Sequence, residues 1–124
     1  SSSEGERIHI GLNDFVGGMR RAIWEREPDE LWIFMDAVGS GLSIDGIHEI
    51  KDFASAVIED NALKRKVYFI VSTNEYEFTT AESDFPLKVD CIDVTTFKHL
   101  SFKDYEDYRQ FVLRTREKKD KRVK

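Results

Sequence analysis

The stretch Leu31-Trp32-Ile33-Phe34-Met35-Asp36 constrains this chain more than any other, because five consecutive apolar residues leave no polar face for water. A run without alternation fits a strand buried on both faces of a parallel sheet, and parallel strands need helices to cross between them. Asp36 stands where that strand leaves the core. Gly39, Ser40 and Gly41 permit a tight turn, after which Ser43 or Asp45 can start a helix. In open α/β sheets ligands gather outside the carboxyl ends of the strands, so an acid at position 36 is placed to hold a metal, directly or through water. The plainer reading is that Asp36 caps a loop and the glycines turn the chain; on these residues alone the two readings weigh equally.

The flanking segments extend an α/β pattern. Ile8, Leu12, Phe15, Met19 and Ile23 recur at helical spacing and predict an amphipathic helix over 6–24, interrupted only by the weak helix formers Gly17 and Gly18. Pro28, within 25–30, breaks it before the strand at 31–36. Ile44, Ile47, Ile50, Phe53, Ala54, Val57 and Ile58 predict a second helix ending near Asp60-Asn61. Beyond the polar entry Lys64-Arg65-Lys66, Val67 to Val71 reads as a buried strand with Ser72, Thr73 and Asn74 at its carboxyl end. After an irregular stretch at 75–87, Val89 to Val94 reads as a third strand, and 95–102 as a short final strand or hairpin. Phe102, Tyr105, Tyr108, Phe111 and Val112 then predict a last helix, N-capped by Ser101 and running to about Lys119. The expected fold is one α/β domain over 1–124, a three-layer, mainly parallel sheet flanked by helices.

Composition narrows the function classes. With 40% hydrophobic and 35% charged residues the 124-residue chain reads as globular, and no apolar run approaches the ~20 residues of a membrane span. Its start, SSSEGER, has neither a signal-peptide core nor an initiator Met, which suggests a piece of a longer protein. Cys91 is the only cysteine, so no internal disulfide forms and a reducing, cytoplasmic setting is expected. Residues 114–124 carry seven Lys or Arg against two acids, which leaves the rest of the chain at −10 from an overall −5. Without interleaved aromatics, this basic end reads as a solvated helix terminus rather than a nucleic-acid contact. His9, His48 and His99 are scattered and have no zinc spacing. Cys91 reads as a buried, inert thiol, Trp24 and Trp32 as packing residues, and Tyr105 and Tyr108 as part of a core stripe.

Three motifs in a fixed order resemble the C-terminal half of an ABC-class P-loop ATPase head, of the kind found in structural-maintenance-of-chromosomes and DNA-repair proteins. SSEGER at 2–7 resembles the signature motif, with Ser3, Gly5 and Glu6 at matching positions and Glu4 in place of a glycine. The resemblance implies that this segment opens a helix whose N-terminus meets the γ-phosphate of ATP held by a partner subunit. LWIFMDAVGSGLSID at 31–45 resembles a Walker B strand and D-loop, which implies Asp36 as the magnesium acid and Ser40 as a nucleotide-binding residue of the loop that crosses the dimer interface. Ala37 stands where the family has the glutamate that polarises water. An alanine cannot accept a proton, so the resemblance implies no catalytic base in this chain. VYFIVSTNEYEF at 67–78 resembles the switch strand, with Thr73 in place of a phosphate-touching histidine and able to donate only a shorter, uncharged contact.

No G-x-x-x-x-G-K-[ST] loop occurs in the chain, so tight ATP binding by this chain alone is not expected. By the resemblance, ATP and Mg²⁺ belong to the complete head, and the strand carrying that loop would sit between those at 67–73 and 89–94. Its absence exposes strand edges that the missing N-terminal half, a rearranged pairing or a homodimer must cover. The resemblance admits nucleic acid as a partner of the parent protein. The competing reading is a non-catalytic α/β interaction module in which the acid and turn at 36–43 are structural.

Overall fold

The computed structural model describes residues 5–12, 18–80 and 89–123, with side chains as far as residue 118. The chain divides into two compact units, Ser1–Leu87 and Lys88–Lys124.

In the first unit the element order is β1 (Glu6–Ile10), α1 (Gly18–Trp24), β2 (Glu30–Asp36), α2 (Ile44–Asn61), β3 (Lys66–Ser72) and a 3₁₀ turn at Tyr76–Thr79. All strands are parallel, in the order β1-β2-β3. The register sets Ile8 beside Ile33 and Ile33 beside Phe69, and likewise Ile10, Met35 and Val71 in one row. Every second residue therefore points to one face. Those residues share a single core with Ile23 of α1, with Ile47, Ile50 and Val57 of α2, and with Phe78 of the 3₁₀ turn. Both helices thus cover the same face, as two right-handed crossovers in a sheet of this order require. Leu31 and Ile33 are wholly enclosed, each contributing about 2–3 kcal/mol relative to exposure.

The apolar run in β2 is not buried on both faces, as its lack of alternation predicts. Leu31, Ile33 and Met35 are buried, but Trp32 and Phe34 on the other face are only partly so. There the indole of Trp32 stacks on Tyr68 with ring centroids 4.2 Å apart, and Phe34 stacks on His9 at 5.3 Å. Tyr68 and Ile70 remain 39% and 37% exposed. Stacking shields these apolar residues in part.

The helix predicted over 6–24 is a strand and a shorter helix. Glu6 to His9 alternates between partly buried and exposed positions and Ile10 is buried, and β1 gains a full parallel ladder on β2, which outweighs helical spacing. Residues 13–17, including Phe15, lie outside the described residues; α1 begins at Gly18. β2, β3 and the end of α2 at Asn61 fall where the sequence puts them, but β3 is not the buried strand expected, since Val67, Phe69 and Val71 are only partly buried and Tyr68 and Ile70 are exposed.

Several contacts tie the two helices down. The Arg20 guanidinium grips Asp60 through Nε to Oδ2 (2.9 Å) and Nη2 to Oδ1 (2.7 Å), joining α1 to the last turn of α2. Lys64 and Arg65 both donate to the carbonyl of Trp24, the end of α1, where cations complement the helix dipole. On α2, buried Lys51 donates to the Thr80 carbonyl and hydroxyl (3.1 and 2.8 Å), anchoring the segment after β3.

In the second unit β4 (Cys91–Ile92) and β5 (His99–Leu100) form an antiparallel hairpin, followed by α3 (Tyr105–Val123). The third strand predicted over 89–94 therefore shrinks to two residues and belongs to its own sheet. Asp93 ends it: its Oδ1 accepts from Thr95 N (2.9 Å) and its carbonyl accepts from Phe97 N (2.7 Å), which closes a turn that takes Phe97 to a φ of 59°. The cap of α3 is Asp104, not Ser101, because Asp104 Oδ1 accepts from Asp107 N (2.9 Å) while Asp107 Oδ2 accepts from Lys103 N (3.1 Å). Phe102 packs edge-on against Tyr108 and at a tilt against Phe111, yet no described residue of this unit is fully buried.

The Arg20 hydrogen bond holds the Asp60 carboxyl below its ordinary value, against the smaller opposing effect of its own desolvation. A depressed folded-state value means the contribution is present above the unfolded carboxylate range and lost as pH falls through the depressed value. Asp60→Asn should cost less than about 1 kcal/mol at neutral pH, because the pair is half exposed. The difference from the wild type should close in strong acid, as read by urea unfolding at both pH values.

Candidate functional site

Asp36 ends β2 on the open side of the sheet and is exposed. Its Oδ1 accepts from Val38 N (3.1 Å) and from Ser72 Oγ (3.2 Å). The first bond caps the turn and the second joins the carboxyl ends of β2 and β3. Among the described residues both hydrogen bonds to this carboxylate fall on Oδ1. Ala37 N donates to Ser72 O (2.7 Å), extending the ladder by one residue.

The strand's period then decides the chemistry of position 37. Asp36 points outward, so Ala37 points inward, and it is fully enclosed in the core. Gly39 and Gly41 have φ of 67° and 64°, in the left-handed region that favours glycine, and nothing lies within 4 Å of where a Cβ would be. Backbone conformation, not crowding, requires glycine there. Leu42 packs on the core, and Ser43 caps α2 by accepting from Gly46 N (3.1 Å).

The candidate residues divide between the two ends of the sheet. Asp36, Ser40 and Thr73 belong to the loops at the carboxyl end, where Asp36 and Ser72 are register partners. Ser40 Oγ donates to Ala37 O (3.0 Å), so its proton is committed to its own turn. Thr73 Oγ1 accepts from Glu75 N (2.9 Å) and keeps its own proton to donate.

Gly5 and Glu6 lie at the amino end: Glu6 is in register with Leu31, about 16 Å along β2 from Asp36 at ~3.3 Å per residue, and Gly5 is one residue farther. Ser3 lies outside the described residues. The helix N-terminus on which their phosphate role depends is absent, since 6–10 is strand. Gly5 has a different reason to be glycine: a Cβ there would meet the Trp32 indole at 2.9 Å. Glu6 Oε1 accepts from Arg26 Nη1 (3.1 Å).

No three His, Cys, Asp or Glu side chains come together as a metal group among the described residues. His9 stacks on Phe34, His48 is partly buried on α2, and His99 is exposed in β5. Burial, then the charge of Asp93, pushes the Cys91 thiol up, which disfavours the thiolate. Two shallow clefts, one lined by Arg20, Arg21, Trp24 and Asp60 and the other by residues of 29–30 and 62–66, flank the helix C-termini rather than Asp36. No helix among the described residues is long and apolar enough to cross a membrane.

Sequence reasoning assigned no role to Ser72, whose hydroxyl orients Asp36, or to Lys51, whose place on the apolar stripe of α2 was the available signal. Set against protein-family models, curated proteins and solved structures, the chain has no match in any of the three. Fold and geometry define a small α/β protein with a three-stranded parallel sheet and an acid at the carboxyl end of its central strand.

Two outcomes check this geometry. Ala37→Glu should destabilise the protein by roughly 3 kcal/mol or more in denaturant melts, since it forces a carboxylate into an apolar enclosure. Gly5→Ala should cost about 1–3 kcal/mol, and much of that cost should vanish in a Trp32→Ala background, as a double-mutant cycle measures.

Proposed function

We propose that the chain is the C-terminal part of an ABC-type ATPase head, contributing Asp36 and the loop at 37–43 to a composite ATP site whose P-loop lies on another segment. The observation that carries the reading is the pairing of Asp36 with Ser72, with the acid at the carboxyl end of the central strand and Thr73 one residue beyond its partner on the adjacent parallel strand. Mg²⁺ keeps several waters and commonly takes one or two carboxylates plus phosphate oxygens, so a lone, oriented acid fits it. When bound, Mg²⁺-ATP supplies the phosphate oxygens that complete the metal's shell. Asp36 would hold the hydrated cation, Ser72 Oγ would keep that carboxylate in place, and Thr73 would offer a hydroxyl donor. The chain contributes no base, because Ala37 faces the core.

Ser3, Gly5 and Glu6 are left out of this reading, because it needs a helix where β1 runs. On this reading the missing half covers the face around Trp32 and Tyr68, making the third layer.

A second reading, a non-catalytic interaction module, is favoured by one observation: Asp36 Oδ1 is already satisfied by its own turn and by Ser72. Joining the chain to its upstream half and measuring ATP binding with and without Mg²⁺ separates the two. The ATPase reading expects Mg²⁺-dependent binding that Asp36→Asn weakens at least about tenfold, with the turn intact because the amide oxygen still accepts. Binding that ignores Asp36, or no binding, favours the interaction module.

A further inference from the structure

The free edge of β3 carries an inference that does not rest on the nucleotide reading. Among the described residues β3 pairs with β2 alone. Lys66 N donates to Asp29 O (3.0 Å) and Ser72 O accepts from Ala37 N (2.7 Å), so residues 66 and 72 turn their peptide groups toward β2. By the strand's period of two, Tyr68 and Ile70 do the same. Val67, Phe69 and Val71 therefore direct their N–H and C=O groups to the open side. Backbone groups of this kind seek partners, and natural edges are blunted by charges, prolines or bulges. From 67 to 71 this edge has none of these.

We propose that the β3 edge pairs with the same edge of a second copy of this chain, antiparallel about a two-fold axis through Phe69. That register sets Phe69 opposite Phe69 of the second copy and Val67 opposite its Val71. All three residues with free peptide groups then fall in hydrogen-bonded pairs, and a shift to either side leaves at least one without a partner. Charge also fits. Lys66 falls opposite Ser72 of the second copy, whose hydroxyl already donates to Asp36, so a lysine approaches an exposed carboxylate at each end. No like charges meet, since Tyr68 faces Ile70. The Phe69 ring stays on the helix side, where it packs edge-on against Phe53. The result is a continuous six-stranded sheet.

The test is the molar mass of the nucleotide-free chain in solution, by light scattering across a dilution series. The expected species is twice the 14.5 kDa chain. Val67→Pro removes an outward N–H without touching the β2 ladder, and should weaken association at least about tenfold. Should that variant fail to fold, the register is read another way: Lys66→Cys with Ser72→Cys, in a Cys91→Ser background, should oxidise to a cross-linked dimer. Residues 66 and 72 of one strand are about 20 Å apart, far beyond disulfide reach, so any cross-link is between copies. A monomer at every concentration overturns the proposal. So does a dimer that neither tolerates the cross-link nor responds to Val67→Pro.

Discussion

Everything in the first unit depends on the inward side of β2. Leu31, Ile33 and Met35 are flanked by β1 and β3 and roofed by α1 and α2, so one strand supplies the centre of the sheet and of the core. Buried apolar area of this kind is the largest favourable contribution to folding, and it also fixes register, because a slip of one residue would turn all three side chains to the opposite face. The positions of β1 and β3, and through them of both helices, follow from satisfying that strand.

The chemistry at the carboxyl end follows from the same alternation. With Met35 inward, Asp36 must face outward and Ala37 inward. The acid is therefore accessible and the next residue enclosed. The left-handed glycines at 39 and 41 return the chain to Ser43, where α2 begins, while Ser72 locks the acid from the neighbouring strand. Within the first unit both described helices cover one side of the parallel sheet, and neither covers the face of Trp32 and Tyr68 or the outer edge of β3. Parallel sheets are ordinarily covered on both faces, which makes these the surfaces where further protein is expected.

Much of this was legible in the residues. The continuous apolar runs of β2 and β3 and the helical stripe of α2 carry one strong signal each, and the Gly-Ser-Gly turn reports its backbone directly. Glu6-Arg7-Ile8-His9-Ile10 was misread because Ile8 fits two periods at once: helical spacing toward Leu12 and alternation with Ile10. Only the ladder on β2 decides between them, and a ladder is non-local. The one-sided burial of β2 was hidden because Trp32 and Phe34 are apolar yet shielded by stacking. In the second unit Asp93 ended a strand that hydrophobicity alone would have continued, and Asp104 captured the cap from Ser101. At the site, Asp36 and its turn were visible, whereas the bond from Ser72 and the enclosure of Ala37 required knowing which strands are neighbours and which way each residue points.

Residue-resolved amide hydrogen exchange on a dilution series tests the central claim most directly, because it reads which side of β3 is paired. The account predicts that the amides of Tyr68 and Ile70, bonded to β2, stay protected at every concentration, while those of Val67, Phe69 and Val71 lose protection as the protein is diluted. Equal, concentration-independent protection along the whole of β3 would contradict it.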